Sequence, residues 1–422
     1  MIRKTNVLMH TLAFMPVMIA ASASAQTWEV FDPSTAGLPT VSITAISEDG
    51  TGNIWVGTEG GLCKYDGASW TVLQTGNSGL PHDQVTAVAV DTADNVWVGT
   101  VLGGLAVYDG ASGWTYFNTS NSPLPDDQIL SLTIDHRNWV WIGTFLGLMC
   151  YTGSEWRLYN DQPTSYNGLV MTGSVIRDVA VRADGLVAIG TLNGGFHYMT
   201  EDIIEAHATF IDLFFDNTQN GVAFDTIHDE RWLATPSQGL IRNFGDWQGG
   251  FWFQYSVWNS SIPSNSLLCV AMDPQGRPWV GSVDAGLTVK NTDDSFVSYN
   301  MANSDLPDNG VNCLHFASDG SLWIGTYGGG AARMTLPNGL VEEEVTINVR
   351  PNPVADRCTV HTPYSNGEVG QWHLFNALGD RVLTGTVQQR VFDIEMATLA
   401  PGVYSLVLLG SQVKASARLV KY

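Results

Sequence analysis

The sequence predicts an all-β protein: a seven-bladed β-propeller, closed by an N-terminal strand, followed by a smaller C-terminal β-domain. Three observations carry this prediction. A Trp-containing motif recurs at regular intervals, and each recurrence lies within the same order of four short strands. The composition is rich in glycine and aromatic residues and only 14% charged, which is typical of β-rich globular chains.

The N-terminal 25 residues have the pattern of a secretory signal peptide. Two basic residues, Arg3 and Lys4, precede an apolar run from Val7 to Ala20, and Ala23-Ser24-Ala25 forms a small-residue cleavage site. The run is shorter than the roughly 20 apolar residues that a membrane span needs. We predict that residues 1–25 are a cleaved signal peptide and that the mature chain has no transmembrane segment. The alternative is an uncleaved anchor.

A Trp-apolar-Gly-Thr motif marks seven repeats in residues 26–336. Its successive occurrences are 42, 44, 47, 44, 47 and 44 residues apart, and the motif is partly lost in the fourth and fifth. Its first position is occupied by Trp55, Trp97, Trp141, Ala188, Trp232, Trp279 and Trp323. Because a residue repeated in most units serves something common to every unit, we interpret these tryptophans as sheet-packing residues and not as sugar-binding ones.

Each repeat contains four strand patterns in the same order. In the second repeat the alternating run Val85–Val90 is followed by a polar turn, the Trp strand and two further strands with aromatic residues. Alternation with period two predicts strands, whereas a helical repeat has an apolar period of about 3.6 residues. Four short strands per unit predict a propeller blade. Residues 199–220 are irregular, so the blade boundaries there stay open.

The two ends of the repeat region complement each other. Trp28-Glu29-Val30-Phe31 has the pattern of a fourth strand, whereas the last repeat has only its first three strands before residue 337. We predict that the N-terminal strand completes the last blade and closes the ring. Closure removes exposed sheet edges, which otherwise favour aggregation.

The repeat consensus resembles the two-component regulator propeller repeat. The residues that carry this resemblance are Ile43–Ile46, Gly52–Thr58, Gly61-Leu62, Tyr65-Asp66 and the whole of Val311–Gly330. The resemblance covers about three quarters of the chain. Propellers of that family are often periplasmic sensor regions of membrane histidine kinases. No kinase region or later apolar span is present in this sequence, so we do not expect signalling.

The C-terminal region, residues 345–422, follows a Glu-rich linker at residues 337–344 and alternates strand patterns with Gly, Asn and Pro turns. Its motifs are Asn348–Pro353, Phe375–Asp380, Leu399–Tyr404 and Arg418–Tyr422. In order and spacing they resemble the type A sorting domain of the type IX secretion system.

That resemblance implies an immunoglobulin-like β-sandwich and a Bacteroidetes-type source. It also implies the type IX secretion machinery as a partner and export through the periplasm to the cell surface or the medium. The sorting-motif residues are then Pro351, Asn352, Pro353, Gly402, Tyr404 and Lys421. The alternative is an ordinary carbohydrate-binding or adhesive sandwich, since a fold alone does not fix a function.

The charge of the chain excludes one class of partner. Its net charge is −22, and residues 26–340 hold 33 acidic side chains against 10 basic ones. Such a surface repels phosphate backbones, so we expect no nucleic-acid partner. The five cysteines are odd in number and widely spaced, so we predict buried free thiols and no disulfide framework.

The sequence contains no Gly-x-Ser-x-Gly, His-Glu-x-x-His, phosphate-loop or Cys-x-x-Cys motif, and we predict no cofactor. His315 alternates with apolar residues and is expected to be packed, and His228-Asp229-Glu230 is expected to form a hairpin turn. Acidic turns such as Asp49-Gly50 and Asp319-Gly320 could hold calcium. Asp-Gly is also ordinary hairpin chemistry, and we favour that interpretation, with bound calcium as the alternative.

A candidate ligand-binding face is expected where the repeats differ. The loop after each Trp strand and the segment that enters the next first strand should lie at the same end of the propeller. Aromatic side chains beside carboxylates and amides suit a glycan or a peptide. The candidate residues are Glu59, His82, Asp83, Leu102, Asp127, Phe145, Asn193, Gln238, Asp284, Asp308 and Tyr327.

Three functions stay open from the sequence. We favour a secreted or cell-surface, non-catalytic propeller that binds a glycan or a peptide. The second is a propeller glycosidase or lyase that uses two carboxylates about 5–10 Å apart, drawn from Asp83, Asp127, Asp284 and Asp308. The third is a structural or adhesive surface protein, which would present a flat apolar patch in place of a pocket.

Overall fold

The computed structural model describes residues 26–110, 113–162, 165–200, 204–206, 217–244, 251–335, 348–361, 370–375, 381–387, 389, 391–409 and 414–422. The described residues divide into two compact units, one within Gln26–Leu336 and one within Pro337–Tyr422. The predicted signal peptide and linker, and much of the irregular stretch 199–220, lie outside the described residues.

The first unit is built from short antiparallel strands and one 3₁₀ turn at Tyr166–Gly168. In chain order the strands are β1 Thr27–Phe31, β2 Ile43–Glu48, β3 Ile54–Thr58, β4 Gly61–Tyr65, β5 Trp70–Leu73, β6 Val85–Val90, β7 Val96–Thr100, β8 Leu105–Tyr108, β9 Trp114–Phe117, β10 Ile129–Ile134, β11 Val140–Thr144, β12 Gly147–Tyr151, β13 Trp156–Tyr159, β14 Ile176–Val181, β15 Val187–Thr191, β16 Phe196–Met199, β17 Ile204–Ala206, β18 Gly221–Asp225, β19 Glu230–Ala234, β20 Leu240–Phe244, β21 Phe251–Tyr255, β22 Leu267–Met272, β23 Pro278–Ser282, β24 Leu287–Lys290, β25 Phe296–Tyr299, β26 Val311–Phe316, β27 Ser321–Thr326 and β28 Ala331–Thr335.

Within the described residues these strands form seven four-stranded antiparallel sheets. Sheets 1 to 6 are β2–β5, β6–β9, β10–β13, β14–β17, β18–β21 and β22–β25, and sheet 7 is β26, β27, β28 and β1. The first strands of successive sheets contact one another in turn, and β26 contacts β2. The first strands therefore form a closed ring around a central axis, which is a propeller arrangement.

The N-terminal strand pairs where the sequence predicts. In sheet 7, β1 is antiparallel to β28, with Trp28 opposite Met334 and Phe31 opposite Ala331. Phe31 stacks on Trp323 of the same sheet at a centroid distance of 5.3 Å. The first and last segments of the unit thus share one sheet and one core cluster, and no further strand is needed to complete it.

The glycine of the repeated motif lets neighbouring sheets approach closely. In each of the seven sheets, the second strand is buried along its whole length. A Cβ on Gly57 would lie 2.7 Å from Val85 Cγ1 of the next sheet, and one on Gly99 would lie 2.5 Å from Ile129 Cγ2. These distances are shorter than a carbon–carbon contact of about 3.5–4.0 Å. The glycine of the motif is therefore a packing position between neighbouring sheets.

Four of the motif tryptophans are held by an aspartate that stands six residues earlier in the chain, a pairing that the sequence analysis missed. Trp55 Nε1 donates to Asp49 Oδ2 at 2.9 Å, while Asp49 Oδ1 accepts backbone N–H groups of the turn from Thr51 and Asn53. Equivalent pairs are Asp91–Trp97 at 3.1 Å, Asp135–Trp141 at 3.4 Å and Asp273–Trp279 at 3.0 Å. The acidic turns of these sheets therefore fix both the hairpin and the indole.

The environment of Asp49 shows how strongly these carboxylates are held. Desolvation by burial on its own raises the pKa of this carboxyl, but hydrogen bonds from Asn53, Trp55 and Thr51 outweigh it and lower the pKa to about 2. The carboxylate form is thus the one that the turn stabilises. Among the described residues, no group of three or more His, Cys, Asp or Glu side chains is placed to hold a metal ion.

The sheets are also joined near the axis. All seven first strands are described, and six begin with a register shift that marks a β-bulge; β18 is the exception. The residues at the bulge are Thr44, Thr86, Leu130, Arg177, Leu268 and Asn312. Three of these side chains donate to the first carbonyl of the next sheet, over 2.7–3.0 Å: Thr44 to Val85, Thr86 to Ile129 and Asn312 to Ile43.

The cysteines are free, and all five lie in described segments. Cys63, Cys150 and Cys358 are buried, and Cys269 and Cys313 are partly buried. Burial raises the pKa of the Cys63 and Cys313 thiols to about 12. Because the thiolate is the reactive form, these side chains act as small apolar packing groups.

The second unit contains two antiparallel sheets. Its strands are β29 Asn348–Arg350, β30 Arg357–His361, β31 Gly370–Phe375, β32 Arg381–Val387, β33 Val391–Glu395, β34 Gly402–Leu409 and β35 Lys414–Lys421. The first sheet has the order β29-β30-β33 and the second β32-β31-β34-β35. Val360 and Ile394 of the first sheet share one buried core with Leu374 and Leu406 of the second.

No helix within the described parts of the chain is both long enough and apolar enough to cross a membrane.

Candidate functional site

The loops predicted to lie together do meet at one end of the first unit. In sheet 2, the loop after β7 donates from Val101 N to Gln84 O at 3.1 Å and from Gly104 N to Asp127 O at 3.0 Å. Gln84 lies in the segment that enters sheet 2, and Asp127 in the segment that enters sheet 3. The same two bonds recur around sheet 6. We call this surface, formed by the loops after the second strands and the segments entering the first strands, the loop face.

Two of the predicted carboxylates on the loop face hold the entering segments. Asp83 Oδ1 accepts the backbone N–H of Thr75 at 2.7 Å, and Asp127 Oδ1 accepts that of Thr119 at 2.7 Å. The same bond is made by amide side chains in later sheets, from Val257 to Asn265 at 2.9 Å and from Met301 to Asn309 at 2.9 Å. Because an amide oxygen accepts the same hydrogen bond as a carboxylate oxygen, the residue at this position holds the loop in place in every sheet where the bond occurs.

His82 and Asp308 occupy a second repeated position. Gln84 N donates to His82 Nδ1 at 3.1 Å, and Gly310 N donates to Asp308 Oδ1 at 2.5 Å. Each side chain therefore caps the backbone two residues further on, as short polar side chains do in turns. In this arrangement Nδ1 of His82 is the acceptor.

Glu59 and Asp284 lie in the loops after the second strands of sheets 1 and 6. Ser42 Oγ donates to Glu59 Oε1 at 3.2 Å, and Ser264 Oγ donates to Asp284 Oδ1 at 2.9 Å. Each bond joins a loop to the segment that enters the same sheet. Among the described residues, the second oxygen of each carboxylate has no hydrogen bond.

The two predicted amides are placed differently. Asn193 has a φ of 62°, and its backbone N–H donates to Thr218 Oγ1 at 3.2 Å. Gln238 Oε1 accepts from Gln254 Nε2 of the outer strand β21 at 2.9 Å. Asn193 therefore lies between sheets 4 and 5, whereas Gln238 is turned outward, away from the axis.

The predicted apolar residues are exposed at the loop tips. Leu102 is 68% exposed, Tyr327 51% and Phe145 37%. Other exposed apolar residues of the loop face are Val41, Leu146 and Val283. Single exposed apolar residues are ordinary, but a set of them on one face marks a candidate contact surface.

Sequence reasoning missed two charged residues at the axis, Arg177 and Asp178. Arg177 is exposed at the bulge of β14, and its Nη2 donates to Asn220 Oδ1 at 2.8 Å. Asp178 accepts the backbone N–H of Val179 at 2.9 Å and of Val222, in sheet 5, at 2.8 Å. A charged pair inside an otherwise apolar first strand was the sequence signal that could have revealed them.

The enclosed position of Asp178 changes its acidity. Its side chain is partly accessible but surrounded by the first strands, and this desolvation raises the pKa of the carboxyl to about 6, against the lowering effect of the N–H groups of Val222 and Val179. The group is therefore half ionised in mildly acidic solution, unlike an ordinary aspartate.

An open groove lies elsewhere, at the outer rim between sheets 6 and 7. Its lining residues are Gln26, Trp28, Tyr299, Asn303, Ser304 and Asp305. It includes none of the predicted site residues.

Two of the predicted sorting-motif residues, Asn352 and Lys421, form hydrogen bonds between distant segments of the second unit. Asn352 Oδ1 accepts the backbone N–H of Val420 at 2.9 Å. The buried Lys421 donates from Nζ to Ala355 O at 2.5 Å. These bonds tie the start of the unit to its last strand.

The other sorting-motif residues lie at the ends of strands. Pro351 and Pro353 follow β29, and each follows a cis peptide bond. Gly402 begins β34, and Tyr404 Oη donates to Ala400 O at 2.6 Å. A tyrosine hydroxyl bonded to the backbone just upstream recurs in β-sandwich domains.

Two family models match separate parts of the chain. The model described as "Two component regulator propeller" matches residues 37–60, 79–101 and 305–328. The model described as "Secretion system C-terminal sorting domain" matches residues 348–422. The chain thus contains propeller repeats and a C-terminal sorting tail. More particularly, three of its segments match two-component regulator propeller repeats and its tail matches the type IX sorting domain, which confirms both resemblances.

Solved structures with a similar fold include an extracellular domain of a two component system and a component of a secretion system. The extracellular domain of the hybrid two component system BT3049 from B. thetaiotaomicron is 18% identical, with a TM-score of 0.63 over 94% of this chain and 57% of that one. PorZ, a surface component of the type IX secretion system of Porphyromonas gingivalis, is 15% identical, with a TM-score of 0.58 over 92% of this chain and 60% of that one. The chain therefore spans less than two thirds of either structure.

A third similar structure is an enzyme, virginiamycin B lyase from Staphylococcus aureus. It is 12% identical, with a TM-score of 0.58 over 74% of this chain and 100% of that one. No curated protein matches the chain significantly. At these identities the structural likeness shows the propeller fold and nothing about activity. The sorting domain implies secretion, attachment at the cell surface and contact with the secretion machinery.

Proposed function

We propose that this protein is a secreted or cell-surface propeller that binds a glycan or a peptide on its loop face and does not act as an enzyme. In this proposal residues 26–336 form one propeller of seven blades, one blade for each four-stranded sheet. Residues 345–422 form an immunoglobulin-like sandwich that serves export, and residues 1–25 are a removed signal peptide.

The observation that carries the proposal is the set of exposed apolar side chains on the loop face. Leu102, Phe145 and Tyr327 are exposed at loop tips that surround the polar residues of the axis. Rings and apolar side chains stack on the apolar faces of a ligand, while neighbouring amides and carboxylates fix its orientation.

A non-catalytic role is supported by the bonds of the four candidate catalytic carboxylates. Asp83, Asp127, Asp284 and Asp308 each hold a hydrogen bond to the loop structure. Amides perform the same role as Asp83 and Asp127 in other sheets. Asp83 and Asp127 use both carboxylate oxygens in hydrogen bonds to Thr75 and Thr119, which leaves less of each carboxylate for the proton transfer that a general acid or base performs.

The experiment that tests the proposal is a thermal-shift screen of the secreted chain against oligosaccharides, peptides and calcium, with chelator controls. A ligand present at about 100 times its Kd stabilises the folded state by about 2.7 kcal/mol. We expect a saturable shift with one ligand class that is lost in Phe145→Ala and Tyr327→Ala.

The matched control is Phe251→Ala, which removes an exposed ring from the outer strand β21 and should leave the shift intact. Loss of the shift in all three variants would point to general destabilisation. A chain that binds no small ligand would favour the structural or adhesive role, with the exposed loop tips contacting another protein.

A further inference from the structure

One basic residue of the propeller unit differs from all the others in its partners. Residues 26–336 contain ten Lys and Arg side chains, all in described segments. Nine of them lie against a carboxylate or over an aromatic ring: Lys64, Arg137, Arg157, Arg182, Arg231, Arg242, Arg277, Lys290 and Arg333. Arg177 has neither kind of partner among the described residues, although the unit is rich in acidic side chains.

The position of Arg177 explains why no described carboxylate pairs with its guanidinium. It is the bulge residue of β14, at the end of the first strand that faces the loop face. Bulges often re-aim a side chain at a functional site. Where Thr44 and Asn312 hold the same position, their short side chains bond to the next sheet. Arg177 is longer, and its side chain is exposed.

One nitrogen of the guanidinium is anchored to the next sheet. Arg177 Nη2 donates to Asn220 Oδ1 at 2.8 Å, and Asn220 Nδ2 donates in turn to Leu267 O at 2.8 Å. A guanidinium has five N–H donors, so this bond anchors one end of the group and leaves donors for a ligand.

The neighbouring carboxylate does not neutralise Arg177. Both oxygens of Asp178 are turned to backbone N–H groups, those of Val179 and Val222. Arg177 therefore presents an unpaired positive charge near the axis, on a face whose other named charged groups are carboxylates.

An apolar surface lies on the adjacent sheet. A Cβ on Gly143 would be 3.0 Å from Ile176 Cγ2, directly before Arg177. Phe145 and Leu146, two and three residues after Gly143, are exposed in the loop that follows β11. A ligand held by the guanidinium can thus place its apolar part against the tip of sheet 3.

We propose that Arg177 is a ligand-binding residue of the loop face and that the ligand it recognises carries a single carboxylate. The planar fork of an arginine matches a carboxylate through two parallel hydrogen bonds. The strongly acidic surface around it repels polyanions at long range, which favours a ligand with one negative group. The carboxylate can belong to a uronic acid or to the end of a peptide. This inference rests on the proposed function and names the chemistry of its ligand.

The test uses the full secreted chain and four probes in two pairs. Galacturonic acid is compared with galactose, and triglycine with triglycine amide, by calorimetry and by the side-chain Nε–Hε signal of Arg177 in NMR spectra. The variants are Arg177→Gln, which removes the charge, and Arg177→Lys, which keeps the charge but cannot donate two parallel hydrogen bonds to a carboxylate. Lys64→Gln removes the same charge from β4 and is the matched control.

We expect one acidic probe to bind and to shift the Arg177 signal. Its affinity should fall at least tenfold in Arg177→Gln, fall partly in Arg177→Lys and stay unchanged in Lys64→Gln. The acidic probe that binds identifies the source of the carboxylate.

The inference is overturned if neither acidic probe shifts the Arg177 signal at millimolar concentration, or if the acidic and neutral probes bind alike. Binding of a ligand that depends on Phe145 but not on Arg177 would overturn this inference alone and leave the proposed function standing. Binding that depends on neither residue would overturn both.

Discussion

Single aspartates in this propeller differ sharply in what surrounds the carboxyl group, and their effects on stability differ accordingly. Asp273 is a structural acceptor: its buried carboxylate receives the indole N–H of Trp279 at 3.0 Å and Arg277 Nε at 2.7 Å. Asp178 is enclosed near the axis, and its pKa is raised to about 6 by desolvation.

Asp273→Ala should destabilise the propeller strongly. The substitution leaves a buried indole N–H and an arginine without their acceptor, a change that costs about 3 kcal/mol or more. Urea unfolding of the variant and the parent chain gives the difference directly. Asp293→Ala, in an exposed turn, is the control and should have a far smaller effect. Equal effects of the two substitutions would contradict a structural role for the Asp–Trp pair.

Asp178→Asn should change the pH dependence of stability in a defined direction. The folded pKa of about 6 lies above the ordinary aspartate pKa of 3.8, so folding favours the protonated form. The contribution of Asp178 is fully present below about pH 4 and is lost as the pH rises through about 6. Relative to the parent, the variant should therefore gain on the order of 2–3 kcal/mol between pH 4 and pH 7, at about 1.4 kcal/mol per pKa unit.

Denaturant unfolding of both chains at intervals between pH 4 and pH 7 measures this difference. The control is Asp49→Asn, whose parent carboxyl has its pKa lowered to about 2. The stability that Asp49 contributes is present above its unfolded pKa and is lost only as the pH falls toward 2. Its difference curve should therefore be flat in the same window. A flat curve for Asp178→Asn would show that the carboxyl is well solvated.

At the scale of the strand, the repeated glycine sets how close two sheets can lie. A Cβ at Gly99 would meet Ile129 Cγ2 at 2.5 Å and Ile129 Cβ at 2.8 Å. Ile129 is the first residue of β10 and is completely buried, so it has little space into which to move.

Gly99→Ala should therefore destabilise the protein by overpacking, by about 1–3 kcal/mol. Gly76→Ala is the matched control, because a Cβ there meets no atom within 4 Å and alanine restricts the unfolded chain. Thermal unfolding followed by circular dichroism distinguishes the two variants. A Gly99→Ala protein as stable as the Gly76→Ala protein would show that sheets 2 and 3 can separate at little cost.

At the scale of the whole propeller unit, stability depends on joining the first strand to the last sheet. β1 supplies the fourth strand of sheet 7 and places Phe31 in a cluster with Trp323 and Tyr65 of sheet 1. Without β1, the edge of β28 would be exposed and this aromatic cluster would lose a ring.

Deletion of residues 26–31 should therefore lower the melting temperature substantially and favour aggregation through the open edge. Phe31→Ala, which keeps the strand but removes the ring, should cost about 3–5 kcal/mol without opening the edge. Light scattering during heating separates the two effects. If the deleted chain stays monomeric and melts near the parent temperature, closure by β1 is not what holds the unit together.

The architecture of this protein can be predicted from its sequence because the architecture is repeated. Period-two alternation, a Trp-apolar-Gly-Thr motif every 42–47 residues and a fourth-strand pattern at the N-terminus each report a local rule. Because the strand pattern occurs seven times, the propeller is predicted even though the tryptophan of the motif is replaced by Ala188 in one repeat. The sorting tail was identified in the same way, from short motifs in a fixed order that the family model confirms.

Only the tertiary structure decided the roles of individual side chains on the loop face. The sequence could not show that Asp83 and Asn265 hold the same loop bond, because the repeats differ in length and the residues differ in type. It also could not show that Arg177 has no carboxylate partner among the described residues, since the acidic side chains that could pair with it lie far away in the chain. Strand patterns depend on neighbours in sequence, whereas hydrogen bonding and charge pairing depend on neighbours in space, and those are set only when the ring closes.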